Sequence, residues 1–258
     1  MQEKTKSVIA KVVVVVFVFS IDINFLMGIN FIYLFLAAAC LSLVLLVKRW
    51  GLLHFVTLFT LLGVGNNMVH PLVTCFLFPV LSFAFVLPFP KTREGIFLWF
   101  RKGRLDMYSL WLSLLVIVLS TVGLILWGWG NEFPKEVVEP LSSASSYSKL
   151  LVMFLGLPVF AFVNAVFEEV VFRGIMQTAL IKVFRNRYWA VILQASAFGF
   201  AHYAVGFPNG FIGVLMTFMY GLAIGAIKER TNGILWPILV HTLADFVIFN
   251  LVFWTMIF

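Results

Sequence analysis

The chain has few charged residues: Asp, Glu, Lys and Arg make up 11% of its 258 positions, whereas hydrophobic residues make up 62%. In soluble globular domains about a quarter of the residues are charged, so this balance excludes an ordinary soluble enzyme or binding domain. The scarcity of charge leaves long apolar runs, and about 20 apolar residues suffice to cross a bilayer as a helix. The composition therefore predicts an all-α, polytopic transmembrane protein.

Cysteine is also scarce, with only Cys40 and Cys75 in the chain. Each lies inside an apolar run, where an isolated cysteine behaves as a small buried hydrophobe. Neither a disulfide framework nor thiol-metal chemistry is therefore supported. The chain lacks a small-residue cleavage signature after its first apolar run, which follows Lys4, Lys6 and Lys11. We therefore expect this run to be retained as a first membrane span.

Nine apolar runs approach membrane-spanning length, and their number sets the predicted topology. They cover residues 8–27, 29–47, 52–66, 71–89, 107–129, 149–172, 188–205, 211–227 and 234–257. The run at 52–66 is short and contains His54. It either crosses the membrane as a ninth span, or is re-entrant or merged with its neighbour, which leaves about eight. The sequence thus predicts a helix bundle of eight or nine spans.

Basic residues cluster between alternate runs, and this pattern sets the expected orientation. The clusters lie at 4–11, 48–49, 91–104, 173–187 and 228–230, and an intervening connection carries Glu132, Glu136 and Glu139. Because Lys and Arg concentrate in cytoplasmic loops, we expect a multi-pass cell membrane protein with a cytoplasmic amino terminus. Nucleic-acid binding would need the cations gathered on one soluble face, so the net charge of +7 does not indicate a nucleic-acid partner.

A connection rich in Pro and Ser, Asn131 to Ser148, divides the chain. It predicts an amino-terminal transmembrane region at 1–147 and a second transmembrane domain at 148–258. In the first region no charged residue lies deep in an apolar run, and Asp22, near the end of the first run, is expected close to water. The chemistry is therefore expected after residue 148.

The most informative polar residues are Glu168 and Glu169, adjacent carboxylates in an apolar run that are followed by Arg173. A carboxylate near the bilayer core costs several kcal/mol and is tolerated where it is paired or lines a polar cavity. Residues four apart on a helix share a face, whereas neighbours point about 100° apart. The spacing therefore predicts an ion pair between Glu169 and Arg173, and it leaves Glu168 directed elsewhere and available for chemistry.

Two histidines follow in the same half of the chain. His202 ends the pattern Phe198-x-x-x-His202, and His241 begins the pattern His241-x-x-x-Asp245. On a helix Asp245 faces the same way as His241, so its carboxylate can orient the imidazole. Two buried histidines with free carboxylates form a competent acid–base set. Their concentration in membrane sequence predicts a polar cavity within the bundle.

In this order, the three groups of residues resemble the motifs of the CAAX protease and bacteriocin-processing family, also called the Abi family of intramembrane glutamic endopeptidases. The resemblance covers roughly residues 148–250. It implies that Glu168, with His202, activates a water molecule for attack on a peptide carbonyl. His241 and Asp245 would then stabilise the oxyanion.

The resemblance also implies supporting residues, a substrate and a location. The supporting residues are Glu169, Arg173 and Phe198. The substrate is a peptide or protein in or at the lipid bilayer, reached from a cavity that opens toward the cytoplasm. The third motif often ends in Asn, and Asp245 is an accepted variant. An ionised Asp cannot donate a hydrogen bond to an oxyanion, so we expect Asp245 to orient His241 instead.

Three alternatives remain open from the sequence. No cofactor is expected, but a zinc site built from Glu168, His202 and His241 is a rival chemistry, although the chain lacks the His-Glu-x-x-His signature. A non-catalytic membrane protein of the same family, such as a bacteriocin-immunity or interaction factor, would work by binding, and its function would survive the loss of Glu168. A proton-coupled transporter would use them as a relay, but the internal repeat expected of a transporter is not visible.

Overall fold

The structure is a computed structural model that describes residues 2–28, 31–68, 71–90, 100–129, 131, 142–204 and 206–257. Within these ranges the regular structure is helical and contains no strand, which confirms the all-α prediction. Some residues used in the sequence predictions lie outside the description, namely Lys91, Arg93, Glu132, Glu136, Glu139 and the side chain of Cys75.

The structure describes nine long helices. In chain order they are Glu3–Met27 (α1), Phe31–Leu46 (α2), Trp50–Met68 (α3), Pro71–Val86 (α4), Met107–Trp129 (α5), Ser146–Phe184 (α6), Arg187–Ala201 (α7), Gly210–Thr231 (α8) and Leu235–Ile257 (α9). Two stretches of α6, Val152–Gly156 and Glu169–Gln177, have π-helical rather than α-helical hydrogen bonding.

Four of the described helices, α1, α5, α6 and α8, are long and apolar enough to cross a membrane by length and composition. Four shorter apolar helices cover Phe31–Leu46, Trp50–Gly65, Leu77–Val86 and Leu235–Leu251. The run at 52–66 belongs to a helix of its own, α3, which packs against α4. These helices support a multi-pass membrane protein, and the count of about eight spans stays a prediction.

The chain forms two compact units, each built from two separate stretches of sequence. The first comprises Met1–Arg101 and Val171–Gly225, and the second comprises Lys102–Val170 and Ala226–Phe258. The helices α6 and α8 each contribute one part to each unit. The division into 1–147 and 148–258 made from the sequence stays a prediction.

A chain of phenylalanine rings crosses the core of the first unit. Successive ring centroids lie 5.4, 5.3, 5.7 and 5.1 Å apart in edge-to-face contact, through Phe17, Phe55, Phe59, Phe172 and Phe198. Such aromatic pairs contribute about 0.5–1.5 kcal/mol each beyond the area that they bury. Because the rings belong to α1, α3, α6 and α7, they fix the position of α7, the helix that ends beside His202.

A buried carboxylate also connects α1 to α7. The Ser196 hydroxyl donates a hydrogen bond of 2.9 Å to Oδ2 of Asp22, whose residue is only 4% exposed. The expectation that Asp22 lies close to water is therefore wrong. A serine on the neighbouring helix supplies a hydrogen-bond partner within the protein, which reduces the cost of burial.

The helices α7 and α8 approach closely where α8 carries small residues. The side-chain amide of Gln194 on α7 donates to the carbonyl oxygen of Gly221 at 2.8 Å. The side-chain amide of Gln177 on α6 donates to the carbonyl oxygen of Gly225 at 3.1 Å. A Cβ on Gly221 would lie 3.1 Å from the Cβ of Ala195. Small residues that allow such an approach are typical of helix interfaces in membranes.

In the second unit, α9 packs against α5 and α6. The turn between α8 and α9 is fixed by Arg230, which donates to both carboxylate oxygens of Asp106 at 2.8 and 3.3 Å. Asp106 also caps α5, because it accepts the backbone N–H of Ser109 at 2.7 Å. Hydrogen bonds from Ser109, together with the charge of Arg230, lower the pKa of Asp106 to about 2.

The contact between α7 and α8 predicts the effect of a single added methyl group. A Cβ at Gly199 would lie 2.9 Å from the carbonyl oxygen of Val214, a backbone atom that cannot rotate away. We expect Gly199→Ala to destabilise the protein by about 1–3 kcal/mol, measured by thermal unfolding in detergent. The control is Gly51→Ala, whose new Cβ would have Lys182 Cδ as its nearest neighbour at 3.9 Å. Equal melting temperatures for the two variants would contradict the close contact.

Candidate active site

The candidate site lies where α6 and α9 pack together in the second unit, and its centre is the imidazole of His241. Nδ1 of His241 lies 2.7 Å from Oε1 of Glu169. His241 is 4% exposed and Glu169 is fully buried. Because a carboxylate can only accept, Nδ1–H is the donor, and hydrogen bonds of this kind are stronger than those between neutral groups. The bond fixes the ring and leaves Nε2 for other partners.

Two further carboxylates face Nε2 of His241. Oε2 of Glu168 lies 3.5 Å away and Oδ1 of Asp245 lies 3.4 Å away, which are ion-pair distances rather than good hydrogen bonds. The contact with Asp245 has the i,i+4 geometry predicted from the sequence. The Glu168 side chain is 19% exposed, whereas that of Glu169 is fully buried, and Oε2 of Glu168 is itself shielded.

Adjacent glutamates reach opposite sides of one ring at the point where α6 changes its helical form. The π-helical stretch begins at Glu169, and its hydrogen bonds run from i to i+5 rather than i+4. The predicted Glu169–Arg173 ion pair assumed α-helical spacing, which does not hold here. That pair stays a prediction, whereas the hydrogen bond from His241 is a contact of Glu169 that the structure describes. Single π-helical turns occur frequently at functional sites.

The sequence prediction missed Asn164, which belongs to the same cluster. Its amide nitrogen Nδ2 lies 2.9 Å from Oδ2 of Asp245 and 3.3 Å from Oε1 of Glu168. A single asparagine in an apolar run matches no motif. The signal that could have found it is spacing, since a residue four positions before Glu168 shares its helical face.

The remaining predicted residues lie in the first unit. The guanidinium of Arg173, which is fully buried, lies 4.3 Å from the centre of the Phe198 ring, within cation–π range. His202 follows the last residue of α7, and its Nδ1–H donates to the carbonyl of Phe198 at 3.0 Å. In the neutral ring Nε2 is then an acceptor.

A glycine determines the surroundings of His202. Gly206 has φ +117°, and a Cβ on it would lie 2.8 Å from Cδ2 of His202. This backbone conformation is accessible to glycine and strained for other residues. The loop after α7 therefore packs directly against the imidazole edge.

The structure thus brings together Glu168, Glu169, His241 and Asp245, and it describes His202 in the other unit. Convergence of His202 with this cluster stays a prediction, as does the polar cavity. Among the residues that the structure describes, no group of three or more His, Cys, Asp or Glu side chains has the arrangement of a metal site.

Comparison with known proteins shows which family the carboxy-terminal part of the chain is similar to. Residues 148–247 match the family model described as Type II CAAX prenyl endopeptidase Rce1-like. No curated protein and no solved structure matches the chain. The match confirms the resemblance drawn from the motifs, and it concerns residues 148–247 alone. Together with the apolar helices, it supports a membrane protease that acts on a peptide or protein.

The different burial of the two glutamates predicts different effects on stability. We expect Glu169→Gln to destabilise the protein by about 1–3 kcal/mol, because it disturbs a buried hydrogen bond to His241. We expect Glu168→Gln to have a smaller effect, since Glu168 is partly exposed and lies at a longer distance from the ring. Thermal unfolding of the two purified variants measures this difference. A loss for Glu168→Gln as large as that for Glu169→Gln would contradict the described geometry.

Proposed function

We propose that the chain is an intramembrane endopeptidase of the glutamic type, in which Glu168 activates water to hydrolyse a peptide bond of a membrane-associated peptide or protein. The observation that carries the proposal is the cluster in which Glu168 and Asp245 both face Nε2 of the buried His241. Ionisable groups within membrane helices are candidates for function. The family match supplies the reaction class.

In the proposed reaction, Glu168 acts as a general base. Its carboxylate takes a proton from water while the water oxygen attacks the peptide carbonyl carbon, and the carbonyl electron pair moves to oxygen. The protonated Glu168 then gives this proton to the amide nitrogen as the C–N bond breaks. The products are a carboxylic acid and an amine, and no bond to the enzyme forms. The partial exposure of Glu168 supports this role, because a base must reach the attacking water.

His241 is proposed to stabilise the oxyanion. When its ring carries two protons, Nδ1–H is held by Glu169, and Nε2–H faces Glu168 and Asp245 at 3.5 and 3.4 Å. These distances are too long for good hydrogen bonds, so Nε2–H can donate to an oxyanion that forms beside Glu168. Glu169 and Asp245 then balance the charge of the imidazolium. An ionised Asp245 accepts hydrogen bonds only, so its contact with Nε2 supports an orienting role.

His202 is proposed to share the proton of the attacking water with Glu168, as the family resemblance implies. The hydrogen bond from its Nδ1 to Phe198 supports this role, because it fixes the tautomer in which Nε2 can accept a proton. The basic clusters between alternate runs support a cytoplasmic amino terminus. We extend the proposal to a site that is reached from that side.

The test compares membranes that contain wild-type protein, Glu168→Gln or Glu3→Gln. The last is a matched control with the same chemical change at an exposed residue that pairs with Arg49, where ion pairs contribute little. Mass spectrometry of peptide ends should reveal an end that wild type and Glu3→Gln produce. We expect Glu168→Gln to reduce its formation by at least about 100-fold, the usual scale of acid–base catalysis. Cleavage by Glu168→Gln at the wild-type rate, with equal amounts of folded protein, would refute the proposal.

The proposed chemistry also predicts the response to metal removal. We expect the purified protein to retain its cleavage rate after treatment with a strong chelator and removal of the chelated metal, because carboxylate and imidazole supply the proton transfers. Elemental analysis of the treated sample checks that metal is absent. Loss of cleavage that added Zn²⁺ restores would contradict the glutamic mechanism and favour a zinc enzyme.

A further inference from the structure

Asn164 connects the two carboxylates that face Nε2 of His241. It lies on α6 four residues before Glu168, and the same amide nitrogen is within hydrogen-bond distance of Asp245 on α9 and near Glu168. An amide nitrogen carries two protons, so one can be directed to each carboxylate. The contact at 2.9 Å is a good hydrogen bond and the contact at 3.3 Å is a longer one.

The contacts divide the oxygens of each carboxylate between two partners. Oε1 of Glu168 and Oδ2 of Asp245 face the amide, whereas Oε2 and Oδ1 are the atoms that face Nε2 of His241. When one oxygen of a carboxylate is held by a hydrogen bond, the position of its second oxygen is restricted. The contacts with the amide therefore restrict the orientation of both carboxylates relative to the imidazole.

From this geometry we propose that Asn164 is a positioning residue for the peptidase reaction, which holds the carboxylates of Glu168 and Asp245 in place beside Nε2 of His241. This inference rests on the proposed function. The N–H directed at Oε1 restrains the rotation of the Glu168 carboxylate, the proposed base. The hydrogen bond to Asp245 does the same for the residue that orients His241.

The chemistry of the site explains why this position carries an amide. Glu168 and Asp245 approach one imidazole nitrogen, and like charges that share a site repel each other. An amide donates to both and adds no charge. Aspartate at position 164 would add a carboxylate to the cluster, and leucine, of similar size, would leave both carboxylates without this donor.

The experiment measures kcat and KM of Asn164→Leu on a synthetic peptide. The peptide spans the cleavage site that the comparison of wild-type and Glu168→Gln membranes identifies. We expect kcat per folded protein to fall about 10- to 100-fold, the scale of a lost hydrogen bond to a charged group, with KM changed little. A purely structural role would lower the melting temperature and leave kcat of the folded fraction unchanged. Asn164→Ala gives the same comparison if the leucine variant yields too little folded protein.

The matched control is Asn250→Leu, which makes the same change on α9 at a residue whose amide donates to the carbonyl of Phe246 in its own helix. We expect this variant to keep the wild-type kcat. Wild-type kcat in both Asn164 variants, while Glu168→Gln is inactive, would overturn the positioning role alone. Activity of Glu168→Gln would instead overturn the proposed function.

Discussion

The hydrogen bond between Nδ1 of His241 and the buried Glu169 is the interaction on which the candidate site depends. It joins α9 to α6, and it commits one nitrogen of the imidazole, so that Nε2 is the atom left for Glu168 and Asp245. Both partners are shielded from water. If one is lost, water therefore cannot supply the missing hydrogen bond to the other. Removal of one partner from such a pair leaves an uncompensated polar group, which is costly in a protein interior.

The surrounding fold holds the two helices that make this bond. Phe160 on α6 packs edge-to-face against Phe249 on α9 at 4.8 Å between ring centroids, on the carboxyl-terminal side of His241 along α9. On the other side, Arg230 and Asp106 join the turn before α9 to the start of α5. The polar cluster on α9 thus lies between an aromatic contact on one side and an ion pair next to the start of the helix on the other.

Much of this arrangement follows from the sequence, because its strongest signals are local. The apolar runs predict the helices, the four-residue spacing predicts that Asp245 faces His241, and the order of the motifs indicates the family. The sequence also predicts that Glu168 and His241 lie close together, through the resemblance rather than through any spacing. Contacts between distant parts of the chain are harder to predict. Asn164 and the buried Asp22 are single polar residues whose partners, Asp245 and Ser196, lie far away in sequence.

The change from α-helix to π-helix in α6 is the other property that residue spacing in the sequence does not predict. The prediction for Glu169 assumed that α6 keeps 3.6 residues per turn, but the helix becomes π-helical at that residue. A π-helical turn depends on packing around the whole helix, and the identities of neighbouring residues in the sequence do not determine it.

A single turnover in water enriched in ¹⁸O tests the role assigned to Glu168. With enzyme in excess over peptide, direct attack by water should place ¹⁸O in the new carboxyl group of the product during the first turnover. The Glu168 side chain should remain unlabelled. An unlabelled first product, with ¹⁸O found instead in Glu168, would mean that the glutamate attacks the peptide bond itself and would contradict general-base catalysis.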